Sequence, residues 1–187
     1  ADEVLLAVAR DLGVEDTYHP TNVGVFFGDE PGKTVADPFF GGAGPDRAGC
    51  IGCAQCFTGC PHNAKNTTET NYLYLAEHAG AQIHPMTMVT DVRPDGDGYV
   101  VSTVRTGRWV RKRKRDFTAG QVVFAAASLG TQRLLHQLRD TGSLPHLSPR
   151  LGALTRTNSE EVPVVFAPDR DDFAQGVAIT SSIHPEA

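Results

Sequence analysis

The sequence predicts an α+β fold, a mixed sheet with flanking helices and a Cys-rich loop, on three observations. Apolar residues recur at helical spacing in three separate segments. Between the second and third of these the apolar period switches to that of strands. Four cysteines, all that the chain has, crowd between Cys50 and Cys60. Cysteines confined in this way read as ligands, because a disulfide framework would spread them along the chain.

The first helix is expected over residues 2–12, where Val4, Leu5, Val8 and Leu12 form a stripe and Gly13 supplies a stop. Residues 18–49 are rich in Gly and Pro and read as an irregular excursion with one short strand, Val23–Phe27. After the cysteines, Tyr72, Leu73, Leu75, Ala76 and Ala79 predict a helix over 68–79, ended by Gly80. Strands are expected at Ala81–His84 and Met88–Arg93, then as a pair, Tyr99–Thr106 and Trp109–Arg115, joined through Gly107. Val122–Ala126 is a short apolar run suited to a buried strand. Leu129, Leu134, Leu135 and Leu138 predict a helix over 129–139, with Ser128 as its N-cap. One further strand is expected at 162–167.

A chain of 187 residues holds one or two domains. Apolar content of 40% and charged content of 21% suit a soluble globular protein and argue against disorder. The net charge of −5 weighs against a general nucleic-acid binder. No stretch is long enough for a transmembrane segment, and no signal peptide opens the chain. Clustered free thiols fit a reducing, cytoplasmic setting. The sequence opens at Ala1 without Met and ends at Ala187 without a stop signal, and it reads as a fragment.

The cysteine run obeys C-x2-C-x2-C-x3-C-P, from Cys50 through Cys53 and Cys56 to Cys60 and Pro61. Bacterial ferredoxins hold an iron–sulfur cluster at this spacing, and each short step turns the chain back toward one centre. In two-cluster ferredoxins the fourth cysteine of such a run ligates the other cluster. Three cysteines could therefore hold a [3Fe-4S] centre, or a [4Fe-4S] centre with one foreign ligand, while Cys60 pairs elsewhere. A structural zinc or disulfide loop is a further alternative, although zinc sites usually separate two C-x-x-C pairs by a dozen residues or more. The plain alternative is a loop that packs and binds nothing. His62, two residues past Cys60, is a spare ligand or merely polar surface.

Other motifs are weaker. Residues 28–34 have three residues between their glycines where a phosphate loop needs four, and Pro31 is among them; a surface turn is expected. The basic run 111–115 reads as a solvated hairpin edge that resists strand addition. Val122–Ala126, the small residues after it and the helix start form a strand–turn–helix that would let a cofactor approach the backbone. Ordinary strand–helix packing explains it equally well.

Gly44-Pro45-Asp46-Arg47 before the cysteines, Ala64-Lys65-Asn66-Thr67 and Asn71–Glu77 after them, Val122–Leu135, Gly142–Pro145, Leu151-Gly152, Asn158 and Ser181–Ile183 together resemble the glucose–methanol–choline (GMC) oxidoreductases, in the branch near bacterial cholesterol oxidases. The resemblance covers most of the chain, in the family's order. It implies the central fragment of an enzyme that binds FAD and oxidises an alcohol group, a CH–OH donor, by hydride transfer to the flavin. It implies that Val89 gives a main-chain contact to the adenine and that Ala126 and Ala127 lie near the cofactor. The family usually has Gly where this chain has Ala127. The family's N-terminal G-x-G-x-x-G and its C-terminal histidine region are absent, so no catalytic residue is assigned and the fragment alone is not expected to turn over.

The implied organisation is a helix with an irregular excursion over 1–47, the cysteine loop over 48–66, part of the FAD-binding domain over 67–140 and the start of the substrate-binding domain over 141–187. Sterol oxidases generally lack such a cysteine run, which favours electron relay to an acceptor protein over a sterol substrate and direct reaction with oxygen. The alternative function is a ferredoxin-like 4Fe-4S electron-transfer module, although such carriers are short and usually repeat the run.

Overall fold

A computed structural model of the chain describes residues 2–107, 110, 113–158, 160–161, 168–169 and 175–185. The chain divides into two units, one formed by residues 1–82 with 165–187 and the other by residues 83–164.

In the first unit, helix α1 spans Asp2–Asp11, with Asp2 and Glu3 in the turn where the helix dipole favours negative charge. Gly13 ends it, as expected, and the Val14 amide returns to the Ala9 carbonyl at 2.8 Å. A short 3-10 turn over Glu15–Thr17 leads into β1 (His19–Pro20). β1 pairs antiparallel with β7 (Ser181–Ser182) at the other end of the sequence. The Asp2 carboxylate clamps this junction, accepting from the Thr180 hydroxyl and, at 2.7 Å, from that of Ser181. These two bonds hold its carboxyl below the usual carboxylate range.

β2 (Thr34–Val35) and β3 (Arg47–Ala48) form a second antiparallel pair around the excursion. Inside it Asp37 accepts the amides of Phe39, Phe40, Gly42 and Gly44. Desolvation pushes the Asp37 carboxyl up, but these donors outweigh it and hold the group below its usual value. Helix α2 covers Tyr72–His78 and stops where Gly80, at φ 94°, reverses the chain in a conformation that costs glycine little.

The second unit is a three-stranded antiparallel sheet in the order β4-β5-β6: Thr87–Asp95, Gly98–Arg105 and Lys114–Ala119. Gly96-Asp97 makes the tight turn between the first two strands. Helix α3, Ala127–Asp140, packs against β4. Val92 of β4 and Leu138 of α3 are buried and form the apolar core of this unit, with Thr103 of β5 buried as well.

The α+β class and all three helices agree with the sequence, but the sheets do not form as expected. The described strands pair antiparallel in three small sheets, so the mixed sheet is not formed among them. The Val122–Ala126 run is the main reason. It is not a strand, and Val123 is 87% exposed. Apolar character suits burial, but a ladder needs partner edges, and none of the described strands pairs with this run.

Other boundaries moved for local reasons. Val23–Phe27 reduces to one bridge, Val25 with Lys65. Ala81–His84 is irregular, because the Ala81 amide is spent returning to Ala76 at the helix stop. The helix expected from residue 68 begins at Tyr72, since the Thr67 and Thr70 hydroxyls bond one another and the nearby backbone. Ser128 is not the N-cap of α3. That position is Ala126, whose amide donates to the Thr131 hydroxyl at 3.0 Å.

The strand expected at 109–115 starts at Lys114; residues 108, 109, 111 and 112 lie outside the described residues, as does the strand expected at 162–167. Arg113, Lys114 and Arg115 are exposed, and among the described residues β6 pairs only with β5, as a solvated edge should. Among the described residues no helix is long and apolar enough to cross a membrane.

Candidate functional site

Two places bring the sequence-predicted residues together, one in each unit. In the first unit Cys50, Cys53, Cys56 and Cys60 all line a single small cavity, together with Val25, His62 and Lys65. All four thiols are free and partly buried. The chain is bent around this cavity by fixed attachments. The Cys50 amide bonds the Phe26 carbonyl at 2.9 Å. Gly52 and Ala54 are pinned to Gly176, with Gly176 N donating to Gly52 O at 2.8 Å and Ala54 N to Gly176 O at 3.0 Å. At Gly49, one residue before Cys50, a Cβ would collide with the Glu30 and Phe27 carbonyls, so only glycine lets β3 run into the loop here.

Two of the four thiols accept backbone amides. The Gly52 amide points at Cys50 Sγ at 3.3 Å and the Ala64 amide at Cys60 Sγ at 3.4 Å. Burial pushes the Cys60 thiol up, but the amides of Ala64, His62, Lys65 and Asn63 outweigh this and hold it below its usual value of 9.0. A thiolate is the reactive form. The alkylation rate of Cys60 in iron-free protein is therefore expected to reach half its maximum below pH 9.0, read by peptide mapping after iodoacetamide pulses. A midpoint at or above pH 9.0 would refute the role given to these amides.

Among the described residues no three His, Cys, Asp or Glu side chains are gathered tightly enough for a single metal ion. A tetrahedral zinc site would bring its sulfurs to within about 4 Å of one another around bonds of about 2.3 Å. Four cysteines lining one small cavity are the donor type that a multi-iron centre takes, and this donor set is what the site has in common with such centres.

Behind the loop lies Arg47, fully buried. Its guanidinium donates to the carbonyls of Pro45 and Asp46 at 3.2 Å, to that of Thr70 at 2.5 Å, to Asn71 Oδ1 at 3.1 Å and to Asn66 Oδ1 at 3.4 Å. The Phe39 ring covers it, 5.7 Å away. Arg47 thereby ties β3 to the turn before α2, and the cysteine loop is the segment spanned between them. Lys65 acts on the cavity directly, its Nζ donating to the Cys56 carbonyl at 2.7 Å.

In the second unit Val89 and Ala126 line one largely apolar groove between β4 and the start of α3. Val89 precedes a β-bulge, for pairing jumps from Val89 opposite Thr103 to Asp91 opposite Ser102. The extra residue, Thr90, donates its hydroxyl to the Ser102 carbonyl at 3.1 Å, and its own carbonyl accepts from Gln137 Nε2 of α3 at 2.9 Å. The bulge therefore anchors the helix to the strand beside Val89. Among the described residues β4 pairs only with β5, and its other edge carries main-chain groups that a ligand could meet. Ala127 does not line this groove but the neighbouring cleft, with Ser128, Thr131 and Arg150. Its φ is 54°, a left-handed conformation that glycine tolerates best and that costs a residue with a Cβ about 1–2 kcal/mol.

Sequence reasoning missed Gly176 and Val25 as walls of the cysteine cavity and gave Lys65 and Arg47 no separate role. A basic residue beside a cysteine run could have flagged Lys65. Nothing in the sequence places Gly176 next to Gly52.

The profile of a family described as GMC oxidoreductase matches residues 43–143. A protein named cholesterol oxidase from Mycobacterium tuberculosis is 56% identical over the whole of this chain, which spans 34% of that protein. One with the same name from Acinetobacter baumannii is 46% identical over 98% of the chain, which spans 35% of it. The chain thus covers about a third of the length of these curated relatives. No solved structure matches it significantly.

Proposed function

The chain belongs to the GMC oxidoreductase family, and from that premise we propose that it is the central part of an FAD-dependent oxidoreductase acting on a CH–OH donor. The observation that carries this reading is the groove shared by Val89 and Ala126, with Ala127 held in a glycine-like turn beside it. On this reading the edge of β4 that no described strand pairs with offers main-chain groups at Val89 to the adenine ring, and the turn at Ala126 and Ala127 lets the cofactor approach the backbone. FAD supplies the hydride acceptor. This chain's part is to bind and orient it and to keep water from one side, and none of its residues is assigned as the base.

The groove and α3 fall within 67–140, proposed as part of the FAD-binding domain; 141–187 would begin the substrate-binding domain. The cysteine run taken alone argues against a sterol. The shared name of the relatives reverses that preference and favours a sterol hydroxyl as the donor group.

The loop over 48–66 is read as the site of an iron–sulfur centre held by Cys50, Cys53, Cys56 and Cys60. What supports it is their convergence on one cavity together with amide donors at two of the sulfurs. A centre of this kind would pass electrons to an acceptor protein, and its four free thiols suit a reducing, cytoplasmic setting. The family match runs from before the cysteines through the sheet and into α3, which favours a loop built into the oxidoreductase over a free-standing ferredoxin-like carrier.

The visible spectrum of full-length protein purified without oxygen tests both cofactors. Flavin bands with a broad iron–sulfur shoulder are expected, and a colourless protein would sink the flavin reading. For the loop, Cys53→Ala is expected to lower iron and acid-labile sulfide at least fivefold while flavin stays bound. Wild-type protein free of iron would end the cluster reading and leave the flavin reading standing.

A further inference from the structure

The cysteine cavity is matched to an anionic occupant by charges that the ligand set does not include. Among the described residues no carboxylate lines it. Lys65 does line it, with its ammonium anchored on the Cys56 carbonyl at 2.7 Å, and it makes no ion pair with a carboxylate among the described residues. Its backbone is fixed as well, bridged to Val25, while the neighbouring amides of Ala64 and Asn66 bond Cys60 Sγ and the Gly24 carbonyl. The next residue, Asn66, accepts from the fully buried Arg47, a second cation with no carboxylate partner among the described residues. Burying or partly burying cations without counter-charge is costly. Four thiolates around a metal–sulfur core carry net negative charge and would offset that cost for Lys65.

From this arrangement we infer that Lys65 sets the charge balance, and so the reduction potential, of the metal–sulfur centre in the cysteine cavity, an inference that rests on the cluster reading above. The step concerned is the gain of one electron by the centre. No bond forms or breaks, and the charge of the cavity becomes one unit more negative. A fixed cation on the wall stabilises the reduced form, since net charge and hydrogen bonding around the sulfurs are what tune such centres.

The test uses full-length protein purified without oxygen and titrated with dithionite, followed by electron paramagnetic resonance, for wild type, Lys65→Met and Lys65→Arg. Lys65→Met at full iron content is expected to be about tenfold harder to reduce, a fall of about 59 mV for a one-electron couple. Lys65→Arg, which keeps the charge, is expected to stay near the wild-type potential. An unchanged potential in iron-loaded Lys65→Met overturns the inference while leaving the cluster in place. Should Lys65→Met lose its iron, retention of iron at the wild-type potential by Lys65→Arg supports a charge role. Loss of iron in both variants assigns Lys65 to loop structure and overturns it. Wild-type protein without iron overturns the cluster reading and this inference together.

Discussion

Arg47→Ala is expected to destabilise the protein by at least about 2 kcal/mol, because several buried neutral acceptors lose their shared donor. The guanidinium is fully buried and serves acceptors on Pro45, Asp46, Asn66, Thr70 and Asn71. Truncation leaves those oxygens without their donor inside a space that water enters poorly, and each buried orphan costs about 1–3 kcal/mol. Relaxation of the turn before α2 will recover part of that. Arg47→Lys is expected to recover little, because a single ammonium cannot reach acceptors spread on both sides of a planar fork. Urea unfolding of the full-length protein, compared by midpoint at constant slope, measures the effect. A loss below about 1 kcal/mol would show that Arg47 does not hold β3 to the segment before α2.

Leu138→Ala is expected to cost about 2–5 kcal/mol, since a fully buried leucine leaves a cavity that its surroundings fill only in part. The consequence reaches the candidate cofactor groove. α3 rests on β4, with a bond from Gln137 to the bulged Thr90, and so joins the strand that carries Val89 to the helix that starts after Ala126. Flavin retained through gel filtration of the full-length variant is therefore expected to fall along with thermal stability. Leu138→Met, which keeps the volume, is expected to cost less than about 1.5 kcal/mol and to retain flavin. A destabilised Leu138→Ala protein with full flavin content would separate the core of this unit from the groove.

Helices were legible because their signals are local. The stripe of α1 and the glycine stops at Gly13 and Gly80 each lie within a few residues of what they control, and the structure places them where the spacing does. The strands at Met88–Arg93 and Tyr99–Thr106 were legible for the same reason, but their pairing through the Gly96-Asp97 turn was not read. Val122–Ala126 was misread because its burial depends on a neighbour and not on its own composition. Ser128 was misread as a cap because the sequence offers two hydroxyls near the helix start, and only the backbone path shows that Thr131 meets the Ala126 amide. The left-handed turn at Ala127 could not be read from an alanine, which gives no local sign of positive φ.

The cysteine loop divides the two kinds of information most sharply. By itself the sequence determined four thiols at short steps, because a C-x2-C spacing keeps them close along the chain whatever surrounds them. It likewise determined the glycine stops of the first two helices at Gly13 and Gly80, which are questions of backbone conformation over a few residues. Only the tertiary structure decided that Gly176 pins the loop from far along the chain, that Lys65 turns its charge onto the cavity and that Arg47 is buried behind it. It also decided that Val89 and Ala126 share a groove. These are pairings between distant segments, fixed by burial and hydrogen-bond satisfaction across the fold, and no window of neighbouring residues contains them.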